Sequence, residues 1–100
     1  MDTNLDTLLK ERGKRYGDFE GNALCSQRLK ALFFAHKARL DMDADQTEAL
    51  GMIAHKLGRI LNGDHNYADS WRDIAGYAQL VADRLDREQS TTTTPPQSNV

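Results

Sequence analysis

Lys56-Leu-Gly-Arg-Ile-Leu-Asn-Gly-Asp-His-Asn-Tyr-Ala-Asp-Ser-Trp-Arg-Asp-Ile-Ala-Gly-Tyr-Ala-Gln-Leu80 decides the fold. It reads as the end of one helix, a tight corner at Asn62-Gly63 and the start of another helix. A residue of positive φ is tolerated at such a corner at least cost when it is glycine. Upstream of the corner, Leu50, Ile53, Leu57, Ile60 and Leu61 recur at helical spacing. Downstream, Trp71, Ile74, Ala75, Ala78, Val81 and Leu85 do the same. The hairpin brings Lys56 and Arg59 into the neighbourhood of Asp69 and Asp73. Two bases facing two acids can form an ion-pair clamp, a phosphate site or a disabled metal site.

The rest of the chain also has helical periodicity. Leu5, Leu8 and Leu9 form a short apolar stripe in a first helix expected to end near Gly13. Arg12-Gly-Lys-Arg-Tyr-Gly-Asp-Phe19 then reads as a glycine-hinged connection, with Tyr16 and Phe19 packed, Gly17 permitting the bend and Asp18 capping the second helix. That helix is expected from about Phe19 to Arg39. Asp45 with Glu48 resembles a capping box and predicts the start of the third helix. The fourth is expected from Ala68 to about Arg87. The expectation is an all-α, compact four-helix domain over residues 1–88, with residues 89–100, rich in Thr, Pro and Ser, as a disordered tail.

One hundred residues with 39% hydrophobic and 28% charged side chains suit one small domain. The single Cys25 forms no internal disulfide and suggests a reducing compartment. No apolar run is long enough for a membrane span, and no signal peptide is visible, so a cytoplasmic protein with no membrane partner is expected. The net charge of −2 hides an uneven distribution: residues 10–39 hold eight bases against three acids. No nucleic-acid fingerprint accompanies this excess, so duplex binding is not expected.

Projected at about 100° per residue, the third helix carries Glu48, Met52, His55 and Arg59 opposite its apolar stripe. Gly51 and Gly58 lie on the flank between, where a close backbone approach is expected. The far side of the fourth helix holds Asp69, Asp73, Tyr77, Leu80 and Arg84. An apolar pair among acids suggests a partner surface, and self-association into a homo-oligomer is expected. The histidines show no metal-ligand spacing, and no Walker loop, zinc pattern or Ser/His/Asp constellation is present.

The motifs Arg15-Tyr-Gly-Asp-Phe19, Lys56-Leu-Gly-Arg-Ile-Leu-Asn-Gly-Asp64 and Asp69-Ser-Trp-Arg-Asp-Ile-Ala-Gly-Tyr-Ala78 resemble, over most of residues 8–85, a family of small uncharacterised proteins of tailed bacteriophages and prophages. More loosely, Lys-x-x-Arg-Ile with Asp-x-x-x-Asp-x-x-Gly-Tyr is similar to a phage domain associated with nucleotide modification. More remotely, the arrangement resembles the all-helical MazG-like nucleotide pyrophosphohydrolases. Those enzymes hold Mg²⁺ between paired acids on two helices. Here the last helix offers Asp69 and Asp73 at i, i+4 on one face, where those enzymes space their acids by three. Glu48 has Gly51 where a second acid would stand, and Lys56 and Arg59 oppose a metal.

The resemblance and the residues together imply a phage-type protein of the bacterial host cytoplasm that binds a small phosphorylated nucleotide without turnover. Sequestration of a host nucleotide immune signal, a counter-defence role, is its most specific form. Arg12, Arg15, Lys56 and Arg59 are the expected phosphate contacts, and Tyr16, Trp71 or Tyr77 the base contacts. Asp69 and Asp73 are expected to orient arginines or bind polar ligand edges. No catalytic residue, metal or cofactor is expected. The alternatives are a divergent MazG-like phosphohydrolase using Glu48, Asp69 and Asp73 with Mg²⁺, and a protein–protein adaptor acting through Tyr77 and Leu80.

Overall fold

The computed structural model describes residues 3–36 and 40–90, and the segments 1–2, 37–39 and 91–100 lie outside this description. Four helices succeed one another along the chain: α1 Thr3–Tyr16, α2 Phe19–Phe34, α3 Ala44–Asn62 and α4 Ala68–Ser90. The described residues contain no strand. No helix among them is long and apolar enough to cross a membrane.

The first helix does not stop at Gly13. It continues to Tyr16, because an isolated glycine costs a helix only about 1 kcal/mol. Lys14 and Arg15 in its last turn oppose the negative end of the helix dipole. The break comes at Gly17, whose φ of +82° is open to glycine and strained for other residues. Asp18 caps α2 as expected, accepting from the Gly21 N–H at 3.1 Å. Phe19, expected to pack, is instead 78% exposed.

The second helix ends at Phe34, short of Arg39. The Ala35 N–H returns to the Ala31 and Leu32 carbonyls, and the His36 ring nitrogen meets the Leu32 carbonyl at 3.0 Å, satisfying groups that a longer helix would have used. The third helix starts two residues before the expected box: the Asp43 N–H donates to Gln46 Oε1 at 2.8 Å. Asp45 instead pairs with Arg84 of α4. The fourth helix runs to Ser90, and the remainder of the expected tail, 91–100, lies outside the described residues.

The third helix is the centre of the molecule. No residue from Ala49 to Ile60 is exposed, because α2 packs on one side of α3 and α4 on another. Ile60 is 6% exposed, a burial worth about 1.5–3 kcal/mol. The expected close approach at the glycines is present. A side chain on Gly58 would begin 3.0 Å from the Asn22 carbonyl oxygen, and one on Gly51 would begin 3.5 Å from Lys30 Cε. Both contacts are with α2. Leu61, expected in the core, is 72% exposed.

The fourth helix is rotated from its expected orientation. Its contact stripe is Ser70, Ile74, Tyr77, Val81, Arg84 and Leu85, a three-and-four spacing that includes two residues expected on the far side. Ala75 and Ala78 are exposed, and so is Trp71 at 54%. The indole N–H of Trp71 donates to the His65 carbonyl at 2.9 Å, which fastens the ring across the corner rather than in the core. Arg84 displaces apolar packing because it has carboxylates to meet. It lies 2.9 Å from Asp43 and 3.1 Å from Glu88, and its bonds to Asp45 hold that carboxyl below its ordinary range.

The two helical corners are clasped together. The Asp64 N–H donates to the Arg15 carbonyl at 2.8 Å. The Asn62 amide nitrogen reaches Asp18 Oδ1 at 3.1 Å, Asn22 Oδ1 at 3.2 Å and the Asp18 carbonyl at 3.4 Å. This approach, not a positive φ, explains Gly63, whose φ is −129°. A side chain there would begin against Tyr16 carbonyl carbon, 2.6 Å from Arg15 oxygen and 2.6 Å from Gly17 nitrogen.

Candidate functional site

The clasp brings the end of α1 against the last turns of α3 and the corner before α4, and there a cluster of arginines and tyrosines forms. Arg59 lies over the Tyr16 ring at 4.2 Å from its centroid, and Arg12 lies over the same ring at 5.1 Å. Arg15 lies over Tyr67 at 5.1 Å, and the two tyrosines meet edge to face with centroids 5.8 Å apart. The Tyr67 hydroxyl donates to Asp69 Oδ2 at 3.2 Å, and Asp69 also receives Arg72 at 2.7 Å. Burial pushes the Tyr67 phenol above its ordinary pKa, with Asp69 adding to the shift, so it remains a donor.

Among the described residues, no carboxylate lies within 4.0 Å of the guanidinium of Arg12, Arg15 or Arg59. Arg12 and Arg59 share one ring, so their centres are no more than about 9 Å apart and repel by about 0.5–2 kcal/mol at effective dielectrics of roughly 80 to 20. A cation–π contact at a wet site contributes about 0.5–1 kcal/mol. The attraction and repulsion nearly cancel, and an anion placed among the guanidiniums would shift the balance. The ring faces hold the guanidiniums in place; Arg15 also donates one N–H to the Tyr67 hydroxyl at 3.5 Å, and the planar donor faces of Arg12 and Arg59 suit an oxygen-rich ligand.

The other expected residues divide. Lys56, its side chain 12% exposed, pairs with Asp73 at 3.1 Å, so that base–acid contact is an ion pair across the hairpin. Asp69 faces Tyr67 and Arg72 rather than Arg59. Trp71 stands at the corner on His65, and Tyr77 lies further along α4 in a shallow cleft with Arg72, Asp73 and Leu80. Neither joins the Tyr16 cluster through a ring contact or a hydrogen bond among the described residues. Glu48 sits two turns up α3 from Lys56, about 12 Å away along the axis. Among the described residues no group of three or more His, Cys, Asp or Glu is placed to hold a metal, so Glu48, Asp69 and Asp73 do not converge on one.

Sequence reasoning missed Tyr67 and Arg72. Arg72 was one turn from Asp69 and could have been read as its partner. Tyr67 belongs to the corner, where periodicity carries no information. Its position depends on the Asx turn of Asp64, which accepts from the Asn66 N–H at 2.9 Å, and on the contact of Asp64 with Arg15.

His55 stands one turn from Arg59. Its pKa is lowered by burial first and then by the charges of Arg59, Lys56 and Lys30, so the imidazole holds its proton less readily than an ordinary histidine does.

The fold and the cluster together define an all-α protein whose α1–α2 and α3–α4 corners are clasped, with a cation–tyrosine face at the clasp. Residues 1–85 match the family model described as Domain of unknown function (DUF6378), and the chain belongs to that family. The match spans the Arg15–Phe19, Lys56–Asp64 and Asp69–Ala78 motifs. No curated protein and no solved structure matches the chain.

Proposed function

We propose that the protein binds a small phosphorylated nucleotide at the Arg12, Arg15, Tyr16, Arg59 and Tyr67 cluster and does not convert it. The observation that carries this reading is the set of three guanidiniums, each on a tyrosine ring and each without a described carboxylate within 4.0 Å. Arginine offers phosphate a planar pair of donors and a guanidinium plane on which a base can stack, and the tyrosine edges offer the base apolar and hydroxyl contacts. Asp69, expected to orient the phosphate-binding arginines or bind polar ligand edges, takes a different part here as the acceptor for Tyr67 and Arg72. Lys56 is occupied by Asp73 and moves to a supporting position. Binding without turnover would act by withdrawing the nucleotide from solution, as a phage protein that sequesters a host signal would do.

Calorimetric titration with a panel of linear and cyclic nucleotides tests the reading, with product analysis in Mg²⁺ alongside. At least one nucleotide should bind, remain intact, and lose about tenfold or more in affinity on Arg59→Ala. Arg59→Lys should recover little, because an ammonium does not reproduce a stacked planar fork. Turnover, or affinity indifferent to Arg59, would refute the proposal.

Self-association with a second copy is part of the same proposal. Among the described residues, only Ala49, Ala54 and Ile60 are buried apolar side chains, whereas Leu24, Leu32, Leu61 and Leu80 are each more than half exposed. Sedimentation should give a mass above that of one chain, and a monomer at micromolar concentration would count against it.

A further inference from the structure

The cation–tyrosine cluster continues along α3. Gly51, His55 and Arg59 are spaced by four residues and lie one above another on a half-buried face. From Gly51 to Arg59 is about 12 Å of helix. At the Gly51 end, the absence of a side chain lets Lys30 of α2 lie across α3, its Cε 3.5 Å from where that side chain would begin. Lys30 is half-buried, and among the described residues no carboxylate lies within 4.0 Å of its ammonium.

His55 lies between the two ends, within the fields of Lys30, Lys56 and Arg59. Lys56 is neutralised by Asp73, which leaves Lys30 and the arginines as the uncompensated charges of the strip. Acids bound it at both ends. Glu48 lines the cleft that Lys30 also lines, and Asp69 stands beyond Tyr67.

We propose that the ligand carries two or more phosphates in a chain, anchored at Tyr16, Tyr67 and the arginines, with its distal phosphate on Lys30 beside His55. The ligand class is then a nucleoside polyphosphate or a short dinucleotide, which share two or more phosphate groups in series, joined by anhydride links in the first and through ribose in the second. A single phosphate cannot serve both ends of the strip. This inference rests on the nucleotide-binding reading and narrows it. The His55 ring at the middle offers a hydrogen bond to a bridging or terminal oxygen.

The experiment compares AMP, ATP, linear pApA and a long single-stranded oligoadenylate by calorimetry on the full chain, its Lys30→Met variant, which keeps the packed stem and removes the charge, and Arg59→Ala. ATP or pApA should bind about tenfold or more tightly than AMP, and Lys30→Met should abolish that advantage while leaving AMP unchanged. A gain for ATP alone assigns an anhydride chain, and a gain for pApA alone a diester chain. His55→Glu, which sets an acid in the strip, should weaken the longer ligand selectively and provides a second test should Lys30→Met lose its fold. An unchanged advantage in both variants, with AMP binding still dependent on Arg59, would overturn the strip and leave the cluster standing. Affinity that keeps rising from pApA to a long oligonucleotide would overturn it in favour of single-stranded nucleic acid. Failure of every nucleotide to bind would remove both proposals together.

Discussion

Gly63→Ala should lower the melting temperature by more than about 10 °C, a loss of roughly 3 kcal/mol or more for a domain of this size. The added methyl would meet backbone only: the Tyr16 carbonyl carbon, the Arg15 oxygen and the Gly17 nitrogen. Backbone atoms cannot rotate away as a side chain would, so the two corners must part. The Asp64–Arg15 bond and the Asn62 contacts with Asp18 and Asn22 would go with them. Gly13→Ala is the matched control. It lies in a helix with nothing within 4 Å, so the same methyl should stabilise α1 by up to about 1 kcal/mol. Thermal melts of the two variants separate a crowded backbone from a general intolerance of alanine, and a Gly63→Ala melt equal to wild type would contradict the clasp.

Asp73→Ala should cost more than Lys56→Met, although both remove the same ion pair. The lysine side chain is 12% exposed and the aspartate 48%. Removing Asp73 leaves an ammonium in a poorly solvated place, whereas removing Lys56 leaves a carboxylate that water can reach. A fully buried pair broken from one side costs about 3–5 kcal/mol, and half-exposure of the acid reduces this to about 1–2 kcal/mol for Asp73→Ala. Lys56→Met keeps the stem's packing and should be near neutral. Urea unfolding of both variants decides the matter. Equal losses would mean that the pair contributes through Coulomb attraction alone.

The apolar stripe of α3 was legible because Leu50, Ile53, Leu57 and Ile60 repeat at one helical period, and the glycine flank because Gly51 and Gly58 interrupt a helix without breaking it. The rotation of α4 was not legible. A projection weighs Trp71 as core and Arg84 as solvent-facing, yet the indole finds the His65 carbonyl at the surface, and Arg84 finds Asp43, Asp45 and Glu88 in the contact stripe. Polar partners distant in sequence overrode apolar periodicity in both cases.

For the candidate site, residue types at Arg12, Arg15, Tyr16 and Arg59 pointed toward anion recognition, but their meeting depends on contacts between residues more than 40 positions apart. Tyr67, at the centre of that meeting, sits in a corner that no periodicity describes. Lys56, Arg59, Asp69 and Asp73 looked equivalent in sequence. In three dimensions one base took an acid, the other took an aromatic ring, and the second acid turned to a phenol and a different arginine.

The clasp also governs how the protein ages. An asparagine followed by glycine is the pair most open to succinimide formation, in which the glycine nitrogen attacks the side-chain carbonyl and ammonia leaves. Water then opens the ring to aspartate or isoaspartate. Here the Asn62 amide is tied to Asp18 and Asn22, and Gly63 is wedged against the α1 corner. Ring closure must therefore wait for the corners to part. When it occurs, a donor amide becomes a carboxylate facing Asp18, and the corners cannot close as before. The same crowded glycine that sits where the two corners meet thus slows the chemical decay of its neighbour, and deamidation at Asn62 counts how often the molecule opens.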